Sequence, residues 1–256
     1  MSTVKKTLKI FQVFLDQKSA LTISELSRFS GLNVNAIYRI TSILREEGYL
    51  SKQNKRGKYL PGPKLLEFGN LAKDLLNIED LSKPYMAKLN NLIDESVQLA
   101  ILDGEKAVVI ANMVGKQRLR IVTEEKADLP AHCTGEGKTL LAYMTEVELD
   151  RYFAKVPKLH EYTANTITDR DSLTKQLAMI RQNGVAVEKA EYAPGIANIA
   201  APVKNDLGRV VAALGVPIPE ARATNSRIAE LIPLIKDTAM EISKTLGYDG
   251  SKVKPG

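Results

Sequence analysis

Between Thr22 and Gly48 the chain is punctuated at helical spacing, and this constrains its fold more than any other feature. Thr22-Ile23-Ser24-Glu25 is a capping box: the threonine hydroxyl and the glutamate carboxylate each satisfy a backbone N–H left free where a helix begins. Ile23, Leu26 and Phe29 are expected to face inward. Gly31 ends this helix, where a left-handed residue is wanted. Asn33 is the expected N-cap of a further helix running to about Glu47, and Gly48 ends it. Two helices joined by so short a glycine-containing turn form a helix-turn-helix. An earlier helix carries two apolar stripes, one of Val4, Leu8, Phe11 and Leu15, the other of Ile10 and Phe14. A helix apolar on more than one side buries more than one side. One stripe is therefore expected in the core of the module and the other against a second copy of the chain.

On the third helix Ile37, Ile40 and Leu44 share one face, and Asn35, Tyr38, Arg39 and Ser42 share the opposite one. With Asn33 and Ala36 at the helix start, this outer face is polar, aromatic and basic, with no carboxylate before Glu46 and Glu47 in the last turn. Such a helix reads bases with its N-terminal part. Segments 49–52 and 58–60 read as a hairpin around a basic tip, a wing whose Lys52, Lys55, Arg56 and Lys58 are placed to hold phosphates. Pro61-Gly62-Pro63 ends the module. Residues 1–64 hold twelve Lys/Arg and four Asp/Glu, a formal +8; the whole chain carries +6, which leaves −2 for the remainder. That asymmetry is the footprint of a small nucleic-acid-binding module joined to a near-neutral partner domain. A solvated basic face would explain the charge alone, but not the carboxylate-free helix face beside a basic wing.

The expected organisation is a winged helix-turn-helix at 1–62, a linker helix at 63–81, a second domain at 82–248 and a C-terminal tail at 249–256. Leu65, Phe68, Ala72 and Leu75 mark the linker helix, and Tyr85, Leu89 and Leu92 the helix after it. Segments 97–102 and 107–112 flank Asp103-Gly104, a hairpin turn. Segment 118–123 reads as a third strand. Helices are expected near 136–144, 146–154 and 169–183, and strands at 185–189, 197–203 and 208–216. A last helix at 225–246 turns Ile228, Leu231, Ile235, Ile242 and Leu246 inward, with Pro233 kinking it or shifting its start. Hairpin connections dominate, so the class is α+β with a mostly antiparallel sheet. The single Cys133 excludes an intrachain disulfide framework. The start of the chain lacks a signal-peptide pattern, and no stretch approaches the ~20 apolar residues of a membrane span. A cytoplasmic protein with no membrane partner is expected.

In this order and spacing, several segments resemble the IclR family of transcriptional regulators. They are Ile23-Ser24-Glu25-Leu26-Ser27, Ser30-Gly31-Leu32-Asn33, Tyr38-Arg39 and Leu44-Arg45-Glu46-Glu47-Gly48-Tyr49-Leu50. More specific are Gly137-Lys138-Thr139-Leu140-Leu141-Ala142, Tyr192-Ala193-Pro194-Gly195-Ile196 and Ile199-Ala200-Ala201-Pro202-Val203. The resemblance covers nearly the whole chain. It implies a GAF-like C-terminal domain that binds a small effector. It also implies dimers that often pair into tetramers, and binding to double-stranded operator DNA, more often as a repressor than an activator. No cofactor is implied. By position, it places the effector pocket at Gly135 and Glu136, Glu188, Asn198, Gly215 and Pro217. Family members often carry a small residue at 136, a cysteine at 198 and small hydroxyls at 215 and 217. Two carboxylates at one pocket would repel a carboxylate effector. A neutral polyol, an amine or a protonated glutamate remain open, as does a Glu136 turned away so that the helix N-terminus receives an anion.

Two other functions compete with this one. A nucleotide-binding protein or enzyme would use residues 135–139, which resemble the end of a phosphate loop, but His132 stands where that motif needs its first glycine. A purely architectural DNA-binding protein would have no use for some 170 further residues. Catalytic supply is poor: His132, Cys133 and His160 read as packing residues, and neighbours such as His132 and Cys133 point to opposite faces of an extended segment. Glu188-Lys189-Ala190-Glu191 could hold an acid/base pair, but surface ion pairs are the commoner meaning of such runs. A metal site would need more ligands of the usual kind. No catalytic residue and no metal ligand is assigned.

Overall fold

The computed structural model describes residues 1–53, 57–75 and 77–250, with the backbone alone at 72–75. The chain forms two compact units, Met1–Asn77 and Ile78–Gly256.

The first unit contains α1 (Thr3–Gln17), α2 (Ile23–Ser30), α3 (Val34–Glu46), an antiparallel hairpin of β1 (Leu50–Lys52) and β2 (Tyr59–Pro61), and α4 (Pro63–Leu75). Its helix ends follow from the caps. Glu25 Oε2 accepts from the Thr22 N–H at 2.7 Å while the Glu25 N–H donates to Thr22 Oγ1, and Gly31 takes a left-handed φ of 65°. Asn33 Oδ1 accepts from the Ala36 N–H at 2.8 Å and starts α3. Ile10, Phe14, Leu26, Ile37, Leu50 and Tyr59 meet in the core, and Leu21 pairs with Tyr59 alongside the wing. Pro61 closes β2 opposite Leu50, at a strand end where a residue without an N–H is tolerated. A Cβ on Gly62 would lie 2.2 Å from the Gly48 carbonyl oxygen, so only glycine lets the chain pass this corner.

One expectation of this unit is made specific and two are corrected. α1 buries the stripe of Ile10 and Phe14, joined by Val13, and leaves Val4, Leu8 and Leu15 more than 60% exposed. Phe29 is exposed beneath the Arg28 guanidinium, whose carbon stands 4.5 Å from the ring centre, because Leu26 and Ser30 already fill the inner face of α2. The helix expected over 63–81 is two helices: α4 ends at Leu75, and residues 78–81 open α5. Phe68 of α4 is exposed and stacks on Tyr49. The side chains of Ala72 and Leu75 and the tail residues 251–256 lie outside the described residues.

The second unit contains α5 (Ile78–Ile93), β3 (Val97–Asp103), β4 (Lys106–Met113), β5 (Asp128–Pro130), α6 (Gly135–Ala142), α7 (Glu146–Lys155), α8 (Arg170–Asn183), β6 (Ala186–Lys189), β7 (Ile196–Lys204), β8 (Val210–Pro219) and α9 (Asn225–Thr245). One six-stranded antiparallel sheet runs in the order β5-β4-β3-β8-β7-β6. Strand side chains alternate between faces. Leu99, Ile199, Leu214 and Val216 pack on α5 and α9. Ala100 and Ala213 turn to the other face and pack on Leu140 of α6. Behind α6, Leu141, Phe153, Leu173 and Leu177 join α6, α7 and α8.

Segment 118–123 is irregular rather than a strand, and the strand next to β4 is β5. Side chains tether it instead of a ladder: Ser96 Oγ donates to the Ile121 carbonyl and Asn112 Nδ2 to the Thr123 carbonyl, at 2.5 and 2.6 Å. Leu92 is exposed and Ile93 faces inward in its place. Pro233 sits inside α9, and the helix starts at Asn225 under a Thr224 cap. Among the described residues no helix is long and apolar enough to cross a membrane.

Candidate functional site

Two sites stand out, one in each unit. In the first, α3 presents Asn35, Tyr38 and Arg39 exposed, with Ala36 half-buried beside them. Asn33 has its oxygen committed to the helix cap. Ser42 is half-buried, and its hydroxyl donates to Glu46 Oε1 at 3.3 Å, so that glutamate reaches back one turn toward the face. Lys6 and Thr3 of α1 border a shallow cleft with Ala36, Arg39 and Ile43, a contribution the helix-by-helix sequence reading missed. The run Lys5-Lys6…Lys9 was its available signal. On the wing, the Lys52 ammonium rests 5.4 Å from the Tyr59 ring centre. Lys58 is half-buried and acts on Glu25, whose carboxyl is held below its ordinary range chiefly by the Thr22 N–H. Lys55 and Arg56 lie outside the described residues.

The second site is a cavity of about 430 Å³ beside the sheet in the second unit. Strand register builds its floor. Glu188 of β6 lies opposite Asn198 of β7, and Asn198 lies opposite Pro217 of β8. One row along, Gly215 of β8 lies opposite Gln98 of β3. Glu188, Asn198 and Pro217 line the cavity, with Gln98, Thr134 and Tyr192. Gly135, Glu136 and Gly215 do not line it. Their part is to fill and clear the space beneath.

Glu136 has no exposed surface. Its Oε1 accepts from Gln98 Nε2 at 2.6 Å and from Asn198 Nδ2 at 3.0 Å, and its Oε2 accepts from Asn198 Nδ2 at 2.8 Å. Burial pushes this carboxyl up, while the two amides and the Glu136 backbone N–H pull it down. Of the two glutamates only Glu188 reaches the cavity wall, so among the open alternatives the geometry has Glu136 turned away. A Cβ on Gly215 would lie 1.6 Å from Glu136 Oε1, and one on Gly135 would lie 2.9 Å from Asn198 Oδ1. These glycines are there for close approach.

The run 188–191 is not a surface ion-pair cluster. Glu188 and Glu191 are buried, and Lys189 alone of the charged three is exposed. Glu191 instead accepts a short hydrogen bond from the ammonium of Lys138, which has no exposed surface. The Glu191 N–H donates to Glu188 Oε1. Burial pushes Glu188 up to about 7, against the pull of that N–H and of Lys138. In the sequence Lys138 belongs both to the family segment Gly137–Ala142 and to the phosphate-loop resemblance, and the structure removes the second. Lys138 is held by Glu191, and Thr139 Oγ1 donates to the Gly135 and Ala200 carbonyls at 2.8 and 3.3 Å, so neither is free for a phosphate. The preceding strand β5 is a short antiparallel edge strand.

His132 and Cys133 lie in the turn before α6 rather than in a strand. His132 Nε2 is 2.9 Å from the His160 carbonyl oxygen, and burial lowers its pKa. Burial pushes the Cys133 thiol up to about 12, which leaves no thiolate at neutral pH. Among the described residues, no three His, Cys, Asp or Glu side chains stand together as metal ligands.

Residues 3–54 match the IclR helix-turn-helix domain, and residues 71–244 match the bacterial transcriptional regulator IclR C-terminal domain. The chain belongs to the IclR family. It is 33% identical over 246 residues to the HTH-type transcriptional regulator KipR of Bacillus subtilis, covering 96% of this chain and 97% of that one. It is 28% identical to the HTH-type transcriptional repressor AllR of Escherichia coli, over 95% of this chain and 90% of AllR. The fold matches the crystal structure of a protein assigned to the IclR regulators from Silicibacter sp. TM1040, with a TM-score of 0.83 at 24% identity over 97% of both chains. This IclR-family protein is accordingly a transcriptional regulator, with a DNA-binding first unit and an effector-binding second one, and its relatives are regulators rather than enzymes.

Proposed function

We propose that this protein is a repressor that grips operator DNA as a dimer and is released when a small molecule fills the cavity over Gln98 and Asn198. The observation that carries the DNA half is the exposed, carboxylate-free start of α3, with Asn35, Tyr38 and Arg39 outward and Lys6 beside Arg39; Lys52 stands on the wing. Asn33, Ala36 and Ser42 shape that face, and Lys58 and the wing residues Lys55 and Arg56 add phosphate contacts. The repressor direction rests on AllR, which bears that name. A single module makes few contacts, so two copies reading half-sites a whole number of turns apart, roughly 34 Å each, are expected. The stripe of Val4, Leu8 and Leu15, uncovered within its unit, supplies the pairing surface. Further pairing into tetramers, and action in the cytoplasm where operators are found, complete the reading.

The ligand acts through a difference in its affinity for the DNA-bound and released states, since only such a difference shifts the balance. The test of the DNA half uses an operator selected from random duplexes by the protein itself. Arg39→Ala is expected to weaken binding to that operator by roughly 5–150-fold, the range of one bidentate contact to guanine. Binding to unrelated duplex should change far less. Equal losses on both would reject base reading by Arg39.

A further inference from the structure

The chain between β4 and β5 returns along the outer edge of β4 without joining the sheet. Near β5 the Lys126 N–H donates to the Val109 carbonyl and the Val109 N–H to the Ala127 carbonyl, at 2.7 and 3.2 Å. Farther along, Asn112 Nδ2 holds the Thr123 carbonyl and Ser96 Oγ holds the Ile121 carbonyl. Carbonyls two residues apart that face one side belong to an extended chain, and the backbone groups between them face the other side. Exposure alternates in step. Arg120, Val122 and Glu124 are exposed, while Ile121 and Thr123 are half-buried. Residues 121–124 also rim the cavity, yet Val122 keeps 59% of its surface open.

The outward edge of this run is bare. Among the described residues, no protein group bonds the backbone N–H or carbonyl of Arg120 or Val122, or the N–H of Glu124. The Glu124 carbonyl takes the Ala127 N–H at 3.2 Å and keeps a second lone pair. Such an edge is a template for another strand, and the charges on it select which one. Arg120 stands two residues before Val122 and Glu124 two residues after it. An antiparallel pair centred on Val122 sets Val122 opposite its own copy and each Arg120 opposite Glu124 of the other copy. Directly opposed residues share a face, here the exposed one. The Arg120 guanidinium gives one bond to the Gln117 carbonyl at 3.2 Å and has further donors for a carboxylate. Two positions farther out the same register would oppose Arg118 and Lys126. There the chain has already turned away, since it bends over 116–119 and Lys126 takes a left-handed φ of 65°.

We propose, resting on the reading that dimers of this chain pair further, that residues 120–124 are the surface that joins two second units. Each run pairs antiparallel with the same run of another copy, about a two-fold axis at Val122. The two Val122 residues exchange both backbone N–H···O bonds, and the Arg120–Glu124 pairs on either side fix the register. The surface is self-complementary, so one partner uses it up and the assembly closes. A strand with a different charge order meets a like charge at one end or the other, which excludes it.

The test is sedimentation of the full-length protein over a range of concentrations. Arg120→Glu and Glu124→Arg each set like charges opposite one another at both ends of the pair. Each should weaken the association by about tenfold or more, halving the mass where the wild type is fully assembled. Mixing the two variants sets opposite charges together again, so the full mass should return, as it should in the double variant Arg120→Glu/Glu124→Arg. Recovery on mixing also shows that both single variants are folded. Val122→Pro removes the central N–H without breaking a bond inside the chain and should halve the mass too. A wild-type tetramer that neither reversal halves, or reversals that fail to recover on mixing, overturns the proposal and leaves the tetramer reading standing. A wild-type dimer that both reversals leave a dimer removes the two together and gives the edge to a strand of another protein.

Discussion

Replacing Gly215 by alanine tests the packing beneath the cavity directly. Gly215 lies in the middle of β8 and is not among the glycines with positive φ, so alanine brings no backbone strain at this position. What it brings is a Cβ 1.6 Å from Glu136 Oε1 and 2.4 Å from its carboxyl carbon. Real Cβ atoms do not approach closer than 3.0 Å, so the oxygen must move by at least the missing 1.4 Å. That displacement breaks the 2.6 and 3.0 Å bonds it receives from Gln98 and Asn198. A hydrogen bond to a charged group contributes about 1.5–3 kcal/mol, and overpacking a dense interior costs about 1–3 kcal/mol. Loss of one bond with partial recovery of the other gives a destabilisation of about 3–6 kcal/mol. For a unit of this size that is a fall in Tm on the order of 10 °C, taking roughly 2–4 °C per kcal/mol. Thermal and urea unfolding would measure it. Glu136→Ala removes the obstacle, so the double variant should be more stable than the two single effects predict, by about 2 kcal/mol or more. A Gly215→Ala protein within about 0.5 kcal/mol of wild type, or strict additivity in the cycle, would refute this account, since neutral surface-like substitutions fall in that range.

Three further outcomes follow from the same geometry. Glu188 holds its proton to about pH 7 in the folded chain against a reference of 4.5, so its contribution to stability is full below 4.5 and is lost as pH rises through 7. Urea titrations from pH 4.5 to 7.5 should show a decline of about 3 kcal/mol that Glu188→Gln abolishes; an identical profile in the variant would remove Glu188 as its source. Lys138→Met leaves Glu191 buried and uncompensated and should cost about 3–5 kcal/mol, with much of the loss restored in Lys138→Met/Glu191→Leu; a double variant no better than the single one would deny the pairing. Leu8→Glu places a charge in the uncovered stripe of α1 and should lower the mass seen by sedimentation and weaken operator binding, whereas unchanged mass and affinity would reject that stripe as the pairing surface.

The first unit was legible in the sequence because its determinants are local. A capping box, a left-handed glycine and an asparagine cap act within three or four residues of themselves, and the structure returns all three. Choices that depend on distant partners were not legible. Both stripes of α1 are equally apolar, and only the placement of Leu26 and Ile37 decides that Ile10 and Phe14 are covered. Residues 118–123 alternate like a strand, yet the hydroxyl of Ser96 and the amide of Asn112 hold them, from positions 25 and 11 residues earlier in the chain. Gln98 carried one weak signal, a lone amide between Val97 and Leu99 in an apolar strand.

Of the six positions expected at the pocket, three line the cavity and three pack beneath it, and the reason lies in how they fit one another. The resemblance to the family implies a small residue at 136, a cysteine at 198 and a hydroxyl at 215, and in sequence these look like three separate departures. In the structure they are one exchange. A glutamate at 136 needs volume, and the volume is what a missing side chain at 215 provides. Its buried charge needs donors, and two of them are the amides of Asn198 and Gln98, 62 and 38 residues distant. Those donors leave their own oxygens buried without a hydrogen-bond partner in return, so the gain at Glu136 is offset by a cost on the far side of each amide. Reverting any one of the three alone should therefore be worse than reverting them together, because each residue is the condition under which the other two fit.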